Sequence, residues 1–350
     1  MINIAIVGTG GMANNHAEMF AAANGCKVVA VCDIDIAKAQ AFAKKHNIDK
    51  VYAKLDDLLA DPQIDGVSNV TPDKFHKPVS LQIISAGKHV LCEKPLAVNA
   101  ADALEMADAA QSAGVINMVN LSYRDAPAIQ DARRRVMSGE IGRVMHVDAS
   151  YLQSWLVANH WGDWHTEEMF LWRLSSQHGS KGVLGDVGIH ILDFASYPVG
   201  DIDEVFCQLK CFDKAPDNRV GEYVLDANDS ALIHARFANG AMGSIHTTRW
   251  ATGNINTLRL RIHGDKGAIE VDLDRSRTSI QMCRGDNIDD AIWETIESPH
   301  TPNNYQRFVD SIISGVNDQP DFAYGAKLQV VIDSCFESDE KRQPIRLTAK

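Results

Sequence analysis

The sequence predicts an α/β protein. An N-terminal Rossmann domain with a doubly wound parallel sheet is followed by a C-terminal α+β domain built on a large, mostly antiparallel open sheet. Three observations predict this fold. Apolar strands alternate with Ala-rich helical segments over the first third, strands follow one another closely beyond about residue 122, and 350 residues suffice for two cores. We expect domains at residues 1–121 and 122–350, with C-terminal helices able to pack back on the first domain.

The elements of the first domain alternate between short apolar runs and helical segments. Strands are predicted at Ile2–Val7, Lys27–Cys32, Gly66–Val70, His89–Cys92 and Val115–Val119, and helices at Asn14–Ala23, Ile36–His46 and Ala100–Ala113. Strands and helices that alternate at this spacing form βαβ units, so their strands run parallel.

The pattern changes in the second domain. After a helix at Pro127–Ser138, alternating or β-branched runs predict strands at Val144–Tyr151, Glu204–Phe212, Ser230–Phe237, Met242–Thr248, Asn256–His263, Ala268–Leu273 and Thr278–Met282. Asn239-Gly240 and the segment 264–267 are typical of hairpin turns, which favour antiparallel pairing. Two helices, Asn303–Ser314 and Ala323–Arg342, are predicted near the end of the chain.

Composition and charge argue against several classes of protein. The chain carries 34 Lys and Arg against 46 Asp and Glu, a net charge of −12 that disfavours nucleic-acid binding. No apolar run approaches the roughly 18–20 residues that span a membrane, and the segment Ile2–Val7 lacks the features of a secretory signal. The seven scattered cysteines show no zinc spacing. We expect a cytoplasmic chain with reduced cysteines and no metal.

The first strand leads into a glycine-rich turn of the form G-x-G-x-x-G/A, with the sequence Gly8-Thr9-Gly10-Gly11-Met12-Ala13. Gly8 permits a tight turn, Gly10 lets the backbone approach a pyrophosphate, and Ala13 allows close packing of helix on strand. The helix N-terminus offers free N–H groups to phosphate oxygens. The position of the turn between a strand and a helix therefore predicts a dinucleotide site.

An acid at the end of the second strand selects the cofactor. Asp33 follows Ala13 by twenty residues, where a carboxylate can accept hydrogen bonds from the adenosine ribose and repel a 2′-phosphate. Asp35 adds negative charge, and we therefore predict NAD, with Asp33 and Ile34 among its contacts. The alternative is that Asp33 only caps the helix that starts near Ile36.

Two further segments carry groups suited to catalysis. The first, Gly87–Pro95, places Glu93 and Lys94 at the carboxyl end of a buried strand, where open parallel sheets bind ligands. The second, Gly182–Asp193, places Asp186, His190 and Asp193 at i, i+4 and i+7, which is one face of an α-helix. Taken singly, the first segment is better explained by a solvated lysine, and an Asp–His pair at the spacing of the second is often only a surface hydrogen bond.

Taken together, these segments resemble the glucose–fructose oxidoreductase/inositol dehydrogenase/rhizopine-catabolism (Gfo/Idh/MocA) family. The resemblance runs along essentially the whole chain through four motifs in order: GTGGMA, TPDKFH at 71–76, HVLCEKP and GDVGIHILD. It implies a Rossmann domain followed by a half-open α/β domain, with the substrate held between the nicotinamide and the second sheet. It also implies reversible oxidation of a secondary alcohol on a sugar or cyclitol.

The resemblance also implies roles for individual residues. Lys94 would hydrogen-bond the reacting hydroxyl and the nicotinamide ribose, His190 would take the hydroxyl proton, and Asp186 would orient the substrate. The implied cofactor contacts, besides the glycine turn and Asp33, are Thr71, Pro72, His76, Glu93, Lys94 and Asn120. Tyr123 and Arg124 match a stretch between the family's domains, where Arg124 could bind substrate or form a salt bridge between the domains.

A tryptophan-rich segment precedes the second motif. Its indoles, with nearby His and Arg groups, are suited to a polyhydroxylated ring, and the residues expected at the substrate are Trp161, Trp164, His165, Trp172 and Arg173. The alternative is a packed loop at a domain or subunit interface. His160 and His165 could suggest a metal, but no carboxylate or Cys motif supports one.

The function predicted first is an NAD-dependent dehydrogenase of a sugar, sugar derivative or cyclitol. A glycosidase that uses NAD transiently on the same fold, or a sugar-sensing protein without catalysis, are the alternatives. Because a large open sheet seldom stays exposed to solvent, we also expect a homodimer or homotetramer formed through the C-terminal sheet.

Overall fold

The computed structural model describes residues 1–347, and two compact units make up the chain. The first unit contains Met1–Ser122 and Pro302–Gln329. The second contains Tyr123–Thr301 and the described residues from Val330 onward. The segment 302–329 thus returns to the N-terminal unit.

The strands of residues 1–347 are β1 (Ile2–Val7), β2 (Cys26–Cys32), β3 (Lys50–Tyr52), β4 (Gly66–Asn69), β5 (His89–Cys92), β6 (Asn117–Val119), β7 (Val144–Gln153), β8 (Ile202–Lys210), β9 (Arg219–Val220), β10 (Tyr223–Val224), β11 (Ser230–Phe237), β12 (Met242–Thr248), β13 (Asn256–Gly264), β14 (Gly267–Asp272), β15 (Ser279–Arg284), β16 (Glu294–Glu297) and β17 (Ile345–Arg346). The α-helices are α1 (Gly11–Ala22), α2 (Ile36–His46), α3 (Leu55–Leu59), α4 (His76–Ser85), α5 (Ala100–Ala113), α6 (Pro127–Met137), α7 (Glu168–Leu171), α8 (Ile189–Val199), α9 (Asn304–Ser314) and α10 (Phe322–Lys341). A π-helical turn, Leu184–Gly188, precedes α8.

The first unit is built on a parallel sheet with the strand order β3-β2-β1-β4-β5-β6. The chain moves outward from β1 to β3 on one side and from β4 to β6 on the other, so the order reverses between β1 and β4. In such sheets, ligands bind outside the carboxyl ends of the strands at this switch point. The predicted doubly wound Rossmann fold is confirmed.

Helix α9 completes the core of the first unit. Asn303 caps this helix by accepting a hydrogen bond from the backbone N–H of Gln306. Tyr305 and Phe308 then pack against Phe20 on α1. The apolar residues of α9 recur on one helical face, as the sequence indicates, whereas the tertiary structure decides that this face packs on α1.

The second unit is built on a sheet with the strand order β16-β15-β14-β13-β7-β12-β11-β8-β17. Among the described strands of this sheet, β7 and β12 form the one parallel pair, and the other neighbours are antiparallel. Burial alternates along β11, so one face of the sheet is buried and the other is exposed. Helix α8 packs on β7, β12 and β13. The predicted, mostly antiparallel sheet is confirmed.

Within residues 1–347, no helix is both long and apolar enough to cross a membrane. The same residues contain no group of three or more His, Cys, Asp and Glu side chains placed to hold a metal ion.

Candidate active site

The glycine turn in the first unit is shaped to receive an anion. Gly8 has a φ of 89°, and a Cβ at this position would lie 2.7 Å from the carbonyl oxygen of Val70, so glycine is required. A Cβ on Gly10 would meet no described atom within 4 Å, which leaves room for a ligand at the backbone. No side chain in the described chain caps α1 at Gly10, so the first N–H groups of α1 fit a pyrophosphate.

Asp33 is held by the same turn. Its Oδ2 accepts hydrogen bonds of 2.8 Å from both the backbone N–H and the hydroxyl of Thr9, and its Oδ1 accepts one of 2.9 Å from the N–H of Asp35. Burial favours the neutral acid, but the hydrogen bonds from Asp35 and Thr9 outweigh it and lower the pKa of Asp33. Asp33 is therefore a fixed anion beside the glycine turn.

The cap of α2 is Asp35, not Asp33. The Asp35 side chain accepts hydrogen bonds of 3.1 Å from the N–H groups of Ala37 and Lys38. This geometry removes the alternative that Asp33 serves only as a helix cap. The neighbouring Ile34 is 98% exposed and Met12 is also exposed, so both apolar side chains are open to solvent next to the turn.

The TPDKFH and EKP motifs meet at His76. Its Nδ1 lies 2.6 Å from the carbonyl oxygen of Pro95, and its Nε2 lies 2.8 Å from that of Thr71. Thr71 is also fixed by Asn69, whose Oδ1 accepts a 2.7 Å hydrogen bond from the Thr71 hydroxyl. His76 and Thr71 thus connect the two motifs at the strand ends, while a contact of Pro72 with a cofactor is a prediction from the sequence alone. Their direct contact with a cofactor stays a prediction.

Glu93 is the centre of a buried polar cluster at the end of β5. Its Oε1 lies 2.7 Å from His16 Nε2 and accepts a 2.7 Å hydrogen bond from Asn120 Nδ2. Its Oε2 accepts a 3.1 Å hydrogen bond from the backbone N–H of Lys94. Burial alone would raise the pKa of Glu93. The hydrogen bonds from His16 and Asn120 and the charge of Lys94 outweigh this effect and lower the pKa to about 2. Glu93 is therefore an ionised acid although it is buried.

Sequence reasoning missed His16. This residue lies on α1 between Ala13, Ala17 and Phe20, which are all buried, and it is itself 0% exposed. A histidine on the apolar face of a helix is a detectable signal, because a buried imidazole needs partners. The partners could not be named from the sequence, since Glu93 lies 77 residues away.

In the second unit, Asp186 lies in the π-helical turn and binds two guanidinium groups. Arg249 Nη2 donates a 2.9 Å hydrogen bond to Asp186 Oδ2, and Arg173 Nε lies 3.4 Å from the same oxygen. Arg249 is fully buried and lies over the ring of Trp155. The sequence reasoning missed Arg249. Its signal is a charged residue directly after the alternating strand β12, but its partner is set by the tertiary fold.

The regular α-helical face predicted for Asp186, His190 and Asp193 is corrected by the structure. The π-helical turn ends at Gly188, so Asp186 and His190 are not separated by one α-helical turn. Turns of this kind are frequent at functional sites.

His190 faces a tyrosine cluster. The rings of His190 and Tyr123 meet edge to face with centroids 4.9 Å apart, and the Tyr123 and Tyr151 hydroxyls lie 2.7 Å from each other. Asn256 bonds both hydroxyls, accepting from Tyr151 and donating to Tyr123. Burial, Tyr123 and the nearby charge of Asp186 raise the pKa of Tyr151, so this phenol stays neutral. Tyr151 and Asn256 are further residues that the sequence did not indicate.

Arg124 is assigned to the framework of the second unit. Its Nε donates to Asp193 Oδ1 at 2.9 Å, its Nη2 donates to the same oxygen at 2.6 Å, and its side chain is 1% exposed. Both partners belong to the second unit. Arg124 thus forms a buried salt bridge inside the second unit, and its contact with a substrate stays a prediction.

The tryptophan-rich segment has a packed part and an exposed part. Trp155 and Trp164 are buried in one apolar cluster, and Trp164, at 2% exposure, has no free face for a ligand. This corrects the prediction that Trp164 lines the substrate site. Trp161 is exposed, and Trp172 is partly buried with the Arg173 guanidinium 4.6 Å above its ring. His165, also exposed, stacks on Trp164.

Comparison with known proteins shows the family to which the chain belongs. Residues 2–121 match the family model described as an oxidoreductase family with an NAD-binding Rossmann fold, and residues 129–270 match the GFO/IDH/MocA C-terminal domain. The chain is 28% identical to levoglucosan dehydrogenase of Pseudarthrobacter phenanthrenivorans, over 97% of this chain and 96% of that protein. It is 30% identical to 1,5-anhydro-D-fructose reductase of Ensifer adhaerens, over 71% of this chain and 68% of that protein.

A solved structure is similar along its whole length. A levoglucosan dehydrogenase in complex with NADH and L-sorbose matches with a TM-score of 0.88 and 26% identity, over 100% of this chain and 99% of that chain.

Proposed function

This chain belongs to the Gfo/Idh/MocA family of NAD-dependent oxidoreductases, and we propose that it oxidises a secondary alcohol of a sugar or sugar derivative. The observation that carries the proposal is the similarity to levoglucosan dehydrogenase over nearly the whole of both chains. The chain also retains Lys94, Asp186 and His190, the groups that such a reaction needs. A cyclitol such as an inositol is a second candidate substrate, because it also carries secondary alcohols on a ring.

The residues of this chain provide the proton chemistry. Bound NAD supplies the acceptor for the hydride that leaves the alcohol carbon. We propose that Lys94 hydrogen-bonds the reacting hydroxyl and that His190 takes its proton on a ring nitrogen, since an ordinary imidazole titrates close to neutral pH. Asp186 orients the substrate, and its own position is fixed by Arg249.

The residues that fit NAD all lie in the first unit. The uncapped N-terminus of α1 suits the pyrophosphate, and the ionised Asp33 suits the two hydroxyls of the adenosine ribose. A 2′-phosphate would be repelled by Asp33. We therefore propose that the enzyme prefers NAD to NADP.

The substrate is proposed to be a polyhydroxylated ring. Trp161 and Trp172 offer indole faces for its C–H groups, and Arg173 and His165 offer polar groups for its hydroxyls. We also propose that two or four copies of the chain associate through the exposed face of the C-terminal sheet, because that face carries large apolar groups such as Met242 and Leu232.

A substrate panel tests the proposed reaction. Purified protein is incubated with NAD⁺ and levoglucosan, D-glucosides, glucose 6-phosphate, free sugars and myo-inositol, and formation of NADH is followed by absorbance. We expect NADH with at least one sugar and none with the variant Lys94→Ala. Release of the aglycone from a glycoside without net NADH would instead identify a glycosidase. Sugar binding without either product would identify a sensing protein.

A further inference from the structure

We propose that His16 is a positioning residue for Lys94 and that it acts through the carboxylate of Glu93. The inference rests on the proposed function, in which Lys94 contacts the reacting hydroxyl. His16 lies outside the glycine turn and outside the EKP motif, and the direction of the chain at Lys94 depends on its ring.

The His16 ring is fixed at both of its nitrogens. Nε2 lies 2.7 Å from Glu93 Oε1, and Nδ1 lies 2.7 Å from the hydroxyl of Ser68 on β4. The edge of the Tyr305 ring also packs against it, with centroids 5.0 Å apart. Because His16 is fully buried, rotation of the ring would break both hydrogen bonds without compensation by water.

The carboxylate of Glu93 transmits this position to Lys94. Its Oε1 contacts His16 and Asn120, so that oxygen is fixed from two sides. Its Oε2 accepts the hydrogen bond from the Lys94 backbone N–H at 3.1 Å. Since a carboxylate is planar and rigid, the place of Oε1 determines that of Oε2, and through it the orientation of the Lys94 peptide.

The cluster is anchored on regular elements of the first unit. The Asn120 amide also bonds the hydroxyl of Tyr305 at 3.0 Å, and that hydroxyl bonds Asn15 on α1 at 3.1 Å. Buried polar groups of this kind are seldom the most effective way to stabilise a core, because apolar residues of similar volume often do as well. A buried ionised acid next to Lys94 is better explained by the precise placement of that residue.

Four variants test the inference. His16→Leu removes the hydrogen bonds, His16→Gln keeps a donor toward Glu93, and Ser68→Ala loosens the ring without removing it. The matched control is His89→Leu. His89 is a hydrogen-bonded histidine at the start of β5, the strand that ends just before Glu93, and its Nδ1 accepts a 3.0 Å hydrogen bond from the N–H of Ile116. Each variant is measured for kcat, for KM of NAD and for backbone hydrogen exchange at Lys94.

We expect His16→Leu to lower kcat about tenfold to a hundredfold, as a small misplacement of a reacting group does, while KM of NAD changes less than about threefold. His16→Gln restores most of kcat. Exchange at the Lys94 amide becomes about tenfold faster in His16→Leu and stays at the wild-type rate in His89→Leu.

The exchange measurement separates this inference from the proposed function. If no sugar is oxidised by the wild type, the proposed function fails, whereas unchanged exchange at Lys94 in folded His16→Leu overturns the positioning role. An equal effect in His89→Leu also overturns it. If His16→Leu does not fold, faster Lys94 exchange in Ser68→Ala supports the inference, and unchanged exchange there refutes it.

Discussion

Glu93 in the first unit and Asp186 in the second are both acids held by several partners, but they are held in different ways. Glu93 is surrounded by an imidazole, an amide and a backbone N–H, which define its position in three directions. Asp186 is held by two guanidinium groups, of which Arg249 is fully buried.

The difference shows that an acid can either fix the position of a neighbouring residue, as at Glu93, or compensate a buried positive charge, as at Asp186. The Glu93 cluster is directional, since each partner occupies a defined lone pair, and it suits the placement of a neighbouring residue. The Asp186 cluster is dominated by charge, because a buried guanidinium needs a counter-charge. Removing a partner of Glu93 should therefore mainly displace the neighbouring residue, whereas removing a partner of Asp186 should mainly lower the free energy of unfolding.

The largest effect is expected from Arg249→Leu. This change leaves Asp186 without its buried cation, and loss of one partner of a buried ion pair costs about 3–5 kcal/mol in the free energy of unfolding. Denaturant unfolding measures the cost. The control Lys27→Leu breaks an ion pair with Asp49 in which both side chains are more than half exposed, and should cost at most about 1 kcal/mol.

A double variant completes this test. Arg249→Leu combined with Asp186→Leu should be less destabilised than the sum of the two single changes, because each single change already removes the Arg249–Asp186 interaction, which the sum therefore counts twice. Strict additivity would show that the two residues do not form a pair in solution.

The next effect in size is the loss of stability in Glu93→Gln. The pKa of Glu93 is lowered from 4.5 to about 2, and this shift corresponds to about 3 kcal/mol of stability at neutral pH. Because the native pKa is lowered, the contribution is complete above about pH 4.5 and is lost as the pH falls toward about 2.

Urea unfolding of the wild type and Glu93→Gln between neutral pH and pH 3 measures this dependence. The difference between the two proteins should shrink as the pH falls. The control Glu105→Gln changes a carboxylate that is largely exposed and should be nearly neutral. A difference that is independent of pH would contradict the buried ionised state of Glu93.

Lys94→Ala and His190→Ala test whether each cluster serves a reacting group. Each change should lower turnover by about a hundredfold or more, because each removes a proposed participant in proton transfer. The controls are Lys88→Ala, which directly precedes β5, and His300→Ala, which is exposed in the second unit. Wild-type turnover in either catalytic variant would remove the proposed mechanism.

The smallest effect concerns Asp33, which is held by backbone N–H groups and the Thr9 hydroxyl. Asp33→Asn should shift the ratio of kcat/KM for NAD over NADP by about tenfold toward NADP, since one repulsive charge is lost. Asp35→Asn keeps a capping side chain on α2 and should shift the ratio less than Asp33→Asn does, because the glycine turn holds Asp33 and not Asp35. A wild type that prefers NADP would refute the cofactor assignment.

Much of the fold follows from local sequence patterns. The observed bounds of β1, α2, β5, α5, β11 and β12 are those predicted, because each has a clear apolar period between turn signals. The strand β3, with three residues, and the short strands β16 and β17 were not predicted. Segments this short carry too few residues for a period, and they form because a neighbouring strand offers hydrogen bonds.

The candidate site was predicted in part. The motif residues Asp33, Glu93 and Asp186 lie where buried or half-buried acids are held by several partners. The role given to Trp164 was corrected, because the type of a residue does not show whether its side chain is already packed among protein partners.

The sequence by itself determined the succession of strands and helices, the glycine turn and the family, because these depend on local periods and on short motifs with defined spacing. Only the tertiary structure decided that His16 meets Glu93 and that Arg249 meets Asp186, which are separated by 77 and 63 residues. Such pairs form when distant segments are brought together by packing. Burial then makes each polar group depend on a partner that no local pattern reveals.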